Sequence, residues 1–289
     1  LNLLLHVVTR TRKRDVEEHR IKRDVRREAV EMSDAERQLY VTVTEATRQF
    51  AWRRGISDGF LLSTPQRQVT SSPAAIAAAW IGGGEGAEEL IGDLQDELED
   101  EMEDENPPAS LRETLGAILP RIVDVAELRR TDTKFKRLME VAGAYLKKHP
   151  QEKIILFTTF RATARYVAER LNEEGLPALL LWGGQDRAKQ EVIDEFRESK
   201  SLRVLVSTEV ASEGVDLQFC RGGVNYDLPW NPTRIEQRIG RIDRLGQKSK
   251  LIHVWNLYFK DTIDERIVSR LLERLKIFEE ALGEAAAMV

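Results

Sequence analysis

Cysteine is almost missing from this chain: Cys220 is the one example in 289 residues. An intramolecular disulfide is therefore excluded, and a reducing, cytoplasmic setting is expected. No apolar run is long enough to span a bilayer, so no membrane partner is expected. Leu3-Leu4-Leu5 is short and soon followed by arginines, which suits a buried strand better than a signal peptide. The chain also starts without Met, and a fragment of a longer protein is expected. Basic side chains are absent from residues 85–105, which hold twelve acidic ones.

That acidic block hides the charge of the rest. The formal net charge is −5, so the chain without those twelve carboxylates would stand at +7. The positive charge concentrates early, in Arg10, Arg12, Lys13, Arg14, Arg20, Lys22, Arg23, Arg26 and Arg27. Such asymmetry suits a nucleic-acid binder carrying a separate acidic insert, with a salt-bridged surface as the ordinary alternative.

From about Thr131 onward, helix and strand patterns alternate. Lys134–Lys148 reads as a helix, Ile154–Phe157 as a strand covered on both faces, and Ala162–Glu174 as a helix stopped by Gly175. A strand at Ala178–Trp182, a helix at Arg187–Glu198, and strands at Val204–Val206, Gly223–Tyr226 and Ile252–Tyr258 follow, then a closing helix from Asp261 to about Gly283. This order predicts an α/β fold: a parallel sheet with helices on both faces and ligands at the carboxyl ends of the strands. Upstream, Ser33-Asp-Ala-Glu36 is a capping box opening a helix toward Trp52. Residues 62–75, rich in Ser, Thr, Gln and Pro, read as a loop. Gly82-Gly-Gly84 leads into an acidic helix, 87–103, ended by Pro107-Pro108. The expected division is a basic arm or linker over 1–75, a helical insertion over 76–130, and the α/β unit over 131–289.

Three segments carry chemistry. Asn231 to Gln247 forms an amphipathic helix in which Ile235, Ile239 and Ile242 make one stripe, while Gln237, Arg241 and Arg244 fall opposite. Two arginines aimed away from a buried stripe suit a dispersed negative charge; a solvated basic face is the alternative. Gly240 mid-helix costs roughly 1 kcal/mol relative to Ala, and Pro232 near the first turn sets the entry. In the second segment, Ser207 and Thr208 end a buried strand, with Gly214 and Asp216 just beyond. Hydroxyls and free backbone N–H groups there suit a phosphate. In the third, Ile155 to Arg161, Thr158 and Thr159 again end a strand. A helix cap is the plain alternative for both hydroxyl pairs.

Together these residues resemble the second RecA-like lobe of superfamily 2 helicases, and within them the Swi/Snf-type ATPases. Thr158-Thr159-Phe160 is similar to motif IV, Ser207–Leu217 to motif V, and Gln237–Arg244 to motif VI. Leu228-Pro-Trp-Asn-Pro followed by Glu236-Gln-Arg-Ile-Gly-Arg-Ile-Asp-Arg resembles the bacterial, RNA-polymerase-associated branch. Arg10–Val16 and Ser63–Ser72 resemble the segment that joins the two lobes. The resemblance implies that Arg241 and Arg244 are arginine fingers reaching the γ-phosphate of ATP. It places Gly214, Asp216 and Gln237 near the nucleotide and the lobe interface, and Thr159, Ser207 and Thr208 on the nucleic-acid backbone.

One departure bears on activity. The chain has no Gly-x-x-x-x-Gly-Lys-Ser/Thr loop and no Asp-Glu-x-His type magnesium site after a strand; Asp194-Glu195 lies inside a helix. The resemblance implies ATP and Mg²⁺ in the intact protein, no metal held by these residues, and no hydrolysis by this fragment alone. The implied partners are double-stranded DNA, a first RecA-like lobe in cis, and RNA polymerase or another protein. The expected function is the C-terminal motor lobe of a double-stranded DNA translocase. A strand-separating DNA or RNA helicase lobe and a non-catalytic, partner-docking RecA-like module are the alternatives.

Overall fold

The computed structural model describes residues 21–55, 58–82, 109–208, 214–229, 231–244, 247 and 249–269. The acidic block, Leu3–Leu5, Arg10–Val16, Gly83-Gly84, Pro107-Pro108, Trp230, Gly246 and the closing helix beyond residue 269 lie outside the described residues. No helix among the described residues is long and apolar enough to cross a membrane.

In chain order the elements are β1 (Lys22–Val30), α1 (Asp34–Arg54), α2 (Asp58–Ser71), α3 (Pro73–Gly82), α4 (Ala109–Ile118), α5 (Val125–Thr131), α6 (Thr133–Lys148), β2 (Ile154–Thr158), α7 (Arg161–Glu173), β3 (Ala178–Leu181), α8 (Lys189–Glu198), β4 (Val204–Thr208), β5 (Gly222–Asn225), α9 (Pro232–Ile242) and β6 (Leu251–Phe259). Among the described residues, six strands form one sheet in the order β1-β6-β5-β2-β4-β3, and every pairing is parallel. The strand–helix alternation predicts this parallel α/β sheet, and the resemblance implies its RecA-like class.

The sheet is sandwiched because its strands are apolar on both sides. Every residue of β2 and β4 is buried. Ile154, Leu156, Val204, Val206 and Leu257 pack on one face against α1, α3, α6 and α7. Ile155, Phe157, Leu205, Ile252 and Val254 pack on the other against α8, α9 and the 215–220 segment.

Two features depart from the sequence reading. Part of the stretch read as a basic arm is β1, an edge strand paired with β6 along its whole length, Lys22 opposite Leu251 through Val30 opposite Phe259. Its charges stay near solvent because an edge strand leaves one side uncovered. The loop expected over 62–75 is instead helical, with Pro65 inside α2 and Pro73 opening α3. Gln66, Gln68, Thr70, Ser71 and Ser72 are buried, and Gln66, Thr70 and Ser71 bond to distant partners. Thr70 Oγ1 donates to Asp264 at 2.6 Å, and its carbonyl accepts from the fully buried Lys134 Nζ at 2.7 Å. Lys134 Nζ also lies 3.7 Å from Asp264, which makes this a paired interior charge.

The capping box at Ser33 is present, and Glu36 does more than close it. Its carboxylate also accepts from the Thr133 N–H at 3.0 Å and the Thr133 hydroxyl at 2.7 Å, so one buried acid ties together the starts of α1 and α6. Beside it, Asp132 caps α6 through the Phe135 N–H at 2.8 Å and accepts from the Tyr166 hydroxyl at 2.8 Å. Burial raises the Asp132 carboxyl from 3.8 to about 6, against the opposing pull of those two hydrogen bonds. The folded state therefore holds this proton more tightly than the unfolded chain. Its stabilising contribution is complete below the unfolded value and is lost as pH rises through about 6. Chemical denaturation at pH 7.5 and 4.5 should show wild type gaining about 2 kcal/mol relative to Asp132→Asn at the lower pH. An unchanged difference between the two proteins would contradict the shift.

Candidate interlobe arginine site

Helix α9 is built as the sequence pattern requires. Asn231 caps it, its side chain accepting from the Thr233 N–H at 2.9 Å, with Pro232 in the first turn. Ile239 and Ile242 are buried and Ile235 packs beside them. Gln237 and Arg244 are exposed and Arg241 is half-buried. Neither Arg241 nor Arg244 has a side-chain hydrogen bond or ion pair with another described residue. The helix comes close to the sheet because β5 begins with two glycines. A Cβ on Gly223 would stand 2.6 Å from Ile242 Cδ1.

The side chain that the helical-wheel reading passed over is Arg238. It is almost wholly buried, and its guanidinium donates to the Asp227 carbonyl at 2.9 Å and lies 3.8 Å from the Asp227 carboxylate. The Asp227 carboxylate also accepts from the Ser71 hydroxyl at 2.6 Å, the Thr158 hydroxyl, the Thr159 N–H at 2.9 Å and the Thr159 hydroxyl at 3.1 Å. Ser71 in turn bonds Thr163 at 2.9 Å. One acid thus joins the end of α2, the end of β2, the start of α7 and the middle of α9. Its sequence signal was an Asp after a buried strand, and an Arg beside Gln237 that breaks the outward pattern.

The structure groups some of the expected site residues and separates others. Thr159, Ser207 and Thr208 share the carboxyl edge of the sheet, with Phe157 opposite Ser207 and Thr158 opposite Thr208. All three are buried, and the Thr159 hydroxyl is turned inward onto Asp227. Arg241 lies in the last turn of α9 and Arg244 just past its end. Helix α9 runs back across the sheet face, so that Ile242 lies over Gly223 near the start of β5. Gly214 adopts a left-handed φ of 76°, which a side chain would strain. Asp216 is half-buried and accepts from the Gln218 N–H at 3.3 Å. The segment they begin packs through Val215, Leu217 and Cys220 onto the face that carries α9. Among the described residues, no group of three or more His, Cys, Asp or Glu side chains could hold a metal ion.

Breaking a buried ion pair by removing one partner costs about 3–5 kcal/mol, because the other charge stays buried. Asp227→Ala and Arg238→Ala should each lower the unfolding free energy by about that much in urea titrations. A loss below about 1 kcal/mol would show that the pair is solvated.

Residues 133–246 match the family model described as the helicase conserved C-terminal domain. A Bacillus subtilis (strain 168) protein described as the uncharacterized ATP-dependent helicase YqhH is 38% identical over 177 residues. The match spans 61% of this chain and 30% of that relative's length. The C-terminal part of the Fun30 ATPase domain superposes with a TM-score of 0.61 at 17% identity, covering 86% of this chain and 88% of the other. The Sulfolobus solfataricus SWI2/SNF2 ATPase core, solved in complex with dsDNA, superposes with a TM-score of 0.56 at 17% identity. There, 91% of this chain and 47% of the other are covered. The chain is thus similar over residues 133–246 to the helicase conserved C-terminal domain, and it shares the fold of the two solved ATPase structures.

Proposed function

With residues 133–246 matching the helicase conserved C-terminal domain, we propose that this chain is the C-terminal motor lobe of an ATP-dependent translocase on double-stranded DNA. The observation that carries the reading is the outward flank of α9. Among the described residues, Arg241 and Arg244 have no side-chain hydrogen bond or ion pair, whereas the neighbouring Arg238 is locked inside. A rigid helix offering guanidinium groups on one side suits an anion brought from outside the chain.

In the proposed mechanism a first RecA-like lobe in cis brings ATP, with Mg²⁺, against this flank. Arg241 and Arg244 offset negative charge developing on the γ-phosphate, and Gln237, Gly214 and Asp216 line the interlobe side. The residues of this chain supply charge stabilisation but neither the phosphate loop nor the metal ligands, so the chain alone does not turn over ATP. The edge bearing Thr159, Ser207 and Thr208 faces the nucleic-acid backbone. Lobe closure and opening would move this edge along one strand. Duplex DNA is favoured by the Trp230-to-Gln247 spacing and by the DNA-bound SWI2/SNF2 core of the same fold. Residues 131–289 form the lobe proper and 76–130 an insertion. Residues 1–75 join it to the first lobe and contribute β1 to its sheet. A cytoplasmic setting, with RNA polymerase or another protein as partner, completes the reading.

In the full-length protein, Arg241→Ala and Arg244→Ala should each lower kcat by about 10³-fold or more while leaving ATP affinity nearly unchanged. Normal turnover in both variants would remove the arginines from the site. Duplex DNA should stimulate the ATPase of the full-length protein more than single strands do. Equal stimulation would favour the strand-separating helicase, and no stimulation the partner-docking module.

A further inference from the structure

Helix α9 is gripped from two sides, and the second grip comes from the edge strand. On β1, Arg23 sends Nε and Nη2 to Asp243 Oδ2, at 2.8 and 2.5 Å, and Nη1 to Glu236 Oε2 at 2.9 Å. Glu236 and Asp243 are seven residues apart, two helical turns, so they lie on one face of α9. Arg238 projects from a different face, into the Asp227 network. Two grips on different faces prevent the helix from rolling about its axis, which a single anchor would permit. The flank between them presents Gln237 and Arg241, with Arg244 following directly after the gripped Asp243.

The grip is specific rather than a chance surface pair. The Asp243 side chain is 9% exposed and that of Arg23 20%, so solvent screens the contact less than an exposed ion pair. Asp243 is also the C-cap residue of α9, its N–H donating to the Ile239 carbonyl at 2.8 Å. A pull on its carboxylate thus acts where the helix ends and Arg244 begins. Arg23 itself is fixed by the strand pairing that sets it opposite Ile252.

We infer that Arg23 is a positioning residue for Arg241 and Arg244. Acting through Asp243 and Glu236, it sets the rotation of α9 that aims both guanidinium groups at an incoming phosphate. The inference rests on the reading of those arginines as the phosphate-charge stabilisers. It does not place Arg23 in contact with nucleotide. It assigns a function in the motor to a strand that the sequence pattern read as an arm.

The test uses the full-length protein and compares Arg23→Ala, Arg23→Lys, Arg244→Ala and the Arg23→Ala/Arg244→Ala double variant. Arg23→Ala should lower kcat by about 10- to 100-fold with ATP affinity unchanged, as small misplacements of catalytic groups do. Arg23→Lys, which keeps the charge but not the forked geometry, should recover part of that loss. In the double variant, loss of Arg23 should add less than its full single-variant factor, because one of the two groups it positions is already gone. Wild-type kcat in Arg23→Ala, or full additivity with Arg244→Ala, would overturn the inference. If Arg23→Ala does not fold, the Arg23→Lys and Arg244→Ala pair gives the same comparison. Normal turnover in both Arg241→Ala and Arg244→Ala would instead overturn the underlying reading, so the two failures are distinguishable.

Discussion

Asp227 is a carboxylate removed from solvent, and an unpaired charge there would cost several kcal/mol. The protein offsets that cost with the Arg238 guanidinium, three hydroxyls and a backbone N–H, drawn from segments far apart in sequence. Asp227 ties these segments to one another. Helix α2 ends with Ser71 against the sheet, the β2–α7 turn is drawn in through Thr159, and α9 sits at a fixed height above β5. A sheet edge carrying Thr159 and a helix carrying Arg241 are therefore mechanically one piece.

This coupling bears on how a motor lobe could transmit force. The strand-end edge proposed to hold nucleic acid and the helix proposed to meet phosphate share a buried, fully committed acid. A displacement at one is not easily absorbed by a soft loop before it reaches the other, since close-packed interiors deform little. Arg23 extends the same logic outward. It joins the edge strand to the end of α9, so the orientation of the arginine flank depends on the sheet at one side and on the Asp227 network at the other.

How much of this could be read from the chain depended on whether the determinant was local. The parallel sheet, the Ser33 cap, the Gly175 stop and the Ile235/Ile239/Ile242 stripe follow from periodicity and capping within a few residues, and they are found. The 62–75 segment misleads because its Ser, Thr and Gln side chains mimic a loop, whereas Asp227, Asp264 and Thr44 satisfy Ser71, Thr70 and Gln66 from afar. Strand β1 misleads because its charges pair with other elements, Arg23 with Glu236 and Asp243 of the α9 region, and Glu28 with Arg137 of α6. Arg238 is the instructive case for the site. It sits among arginines of similar appearance, and only the partner in the β5–α9 turn distinguishes the buried anchor from the outward pair.

The central claim is that the outward arginines of α9 complete a nucleotide site supplied by another lobe. The most direct measurement is a structure of the full-length protein trapped with a transition-state analogue of ATP hydrolysis. The account predicts that the Arg241 and Arg244 guanidinium groups lie within hydrogen-bond distance of the γ-phosphate mimic, with Arg238 still held by Asp227. Closed lobes around a bound analogue with both arginines facing solvent would contradict it.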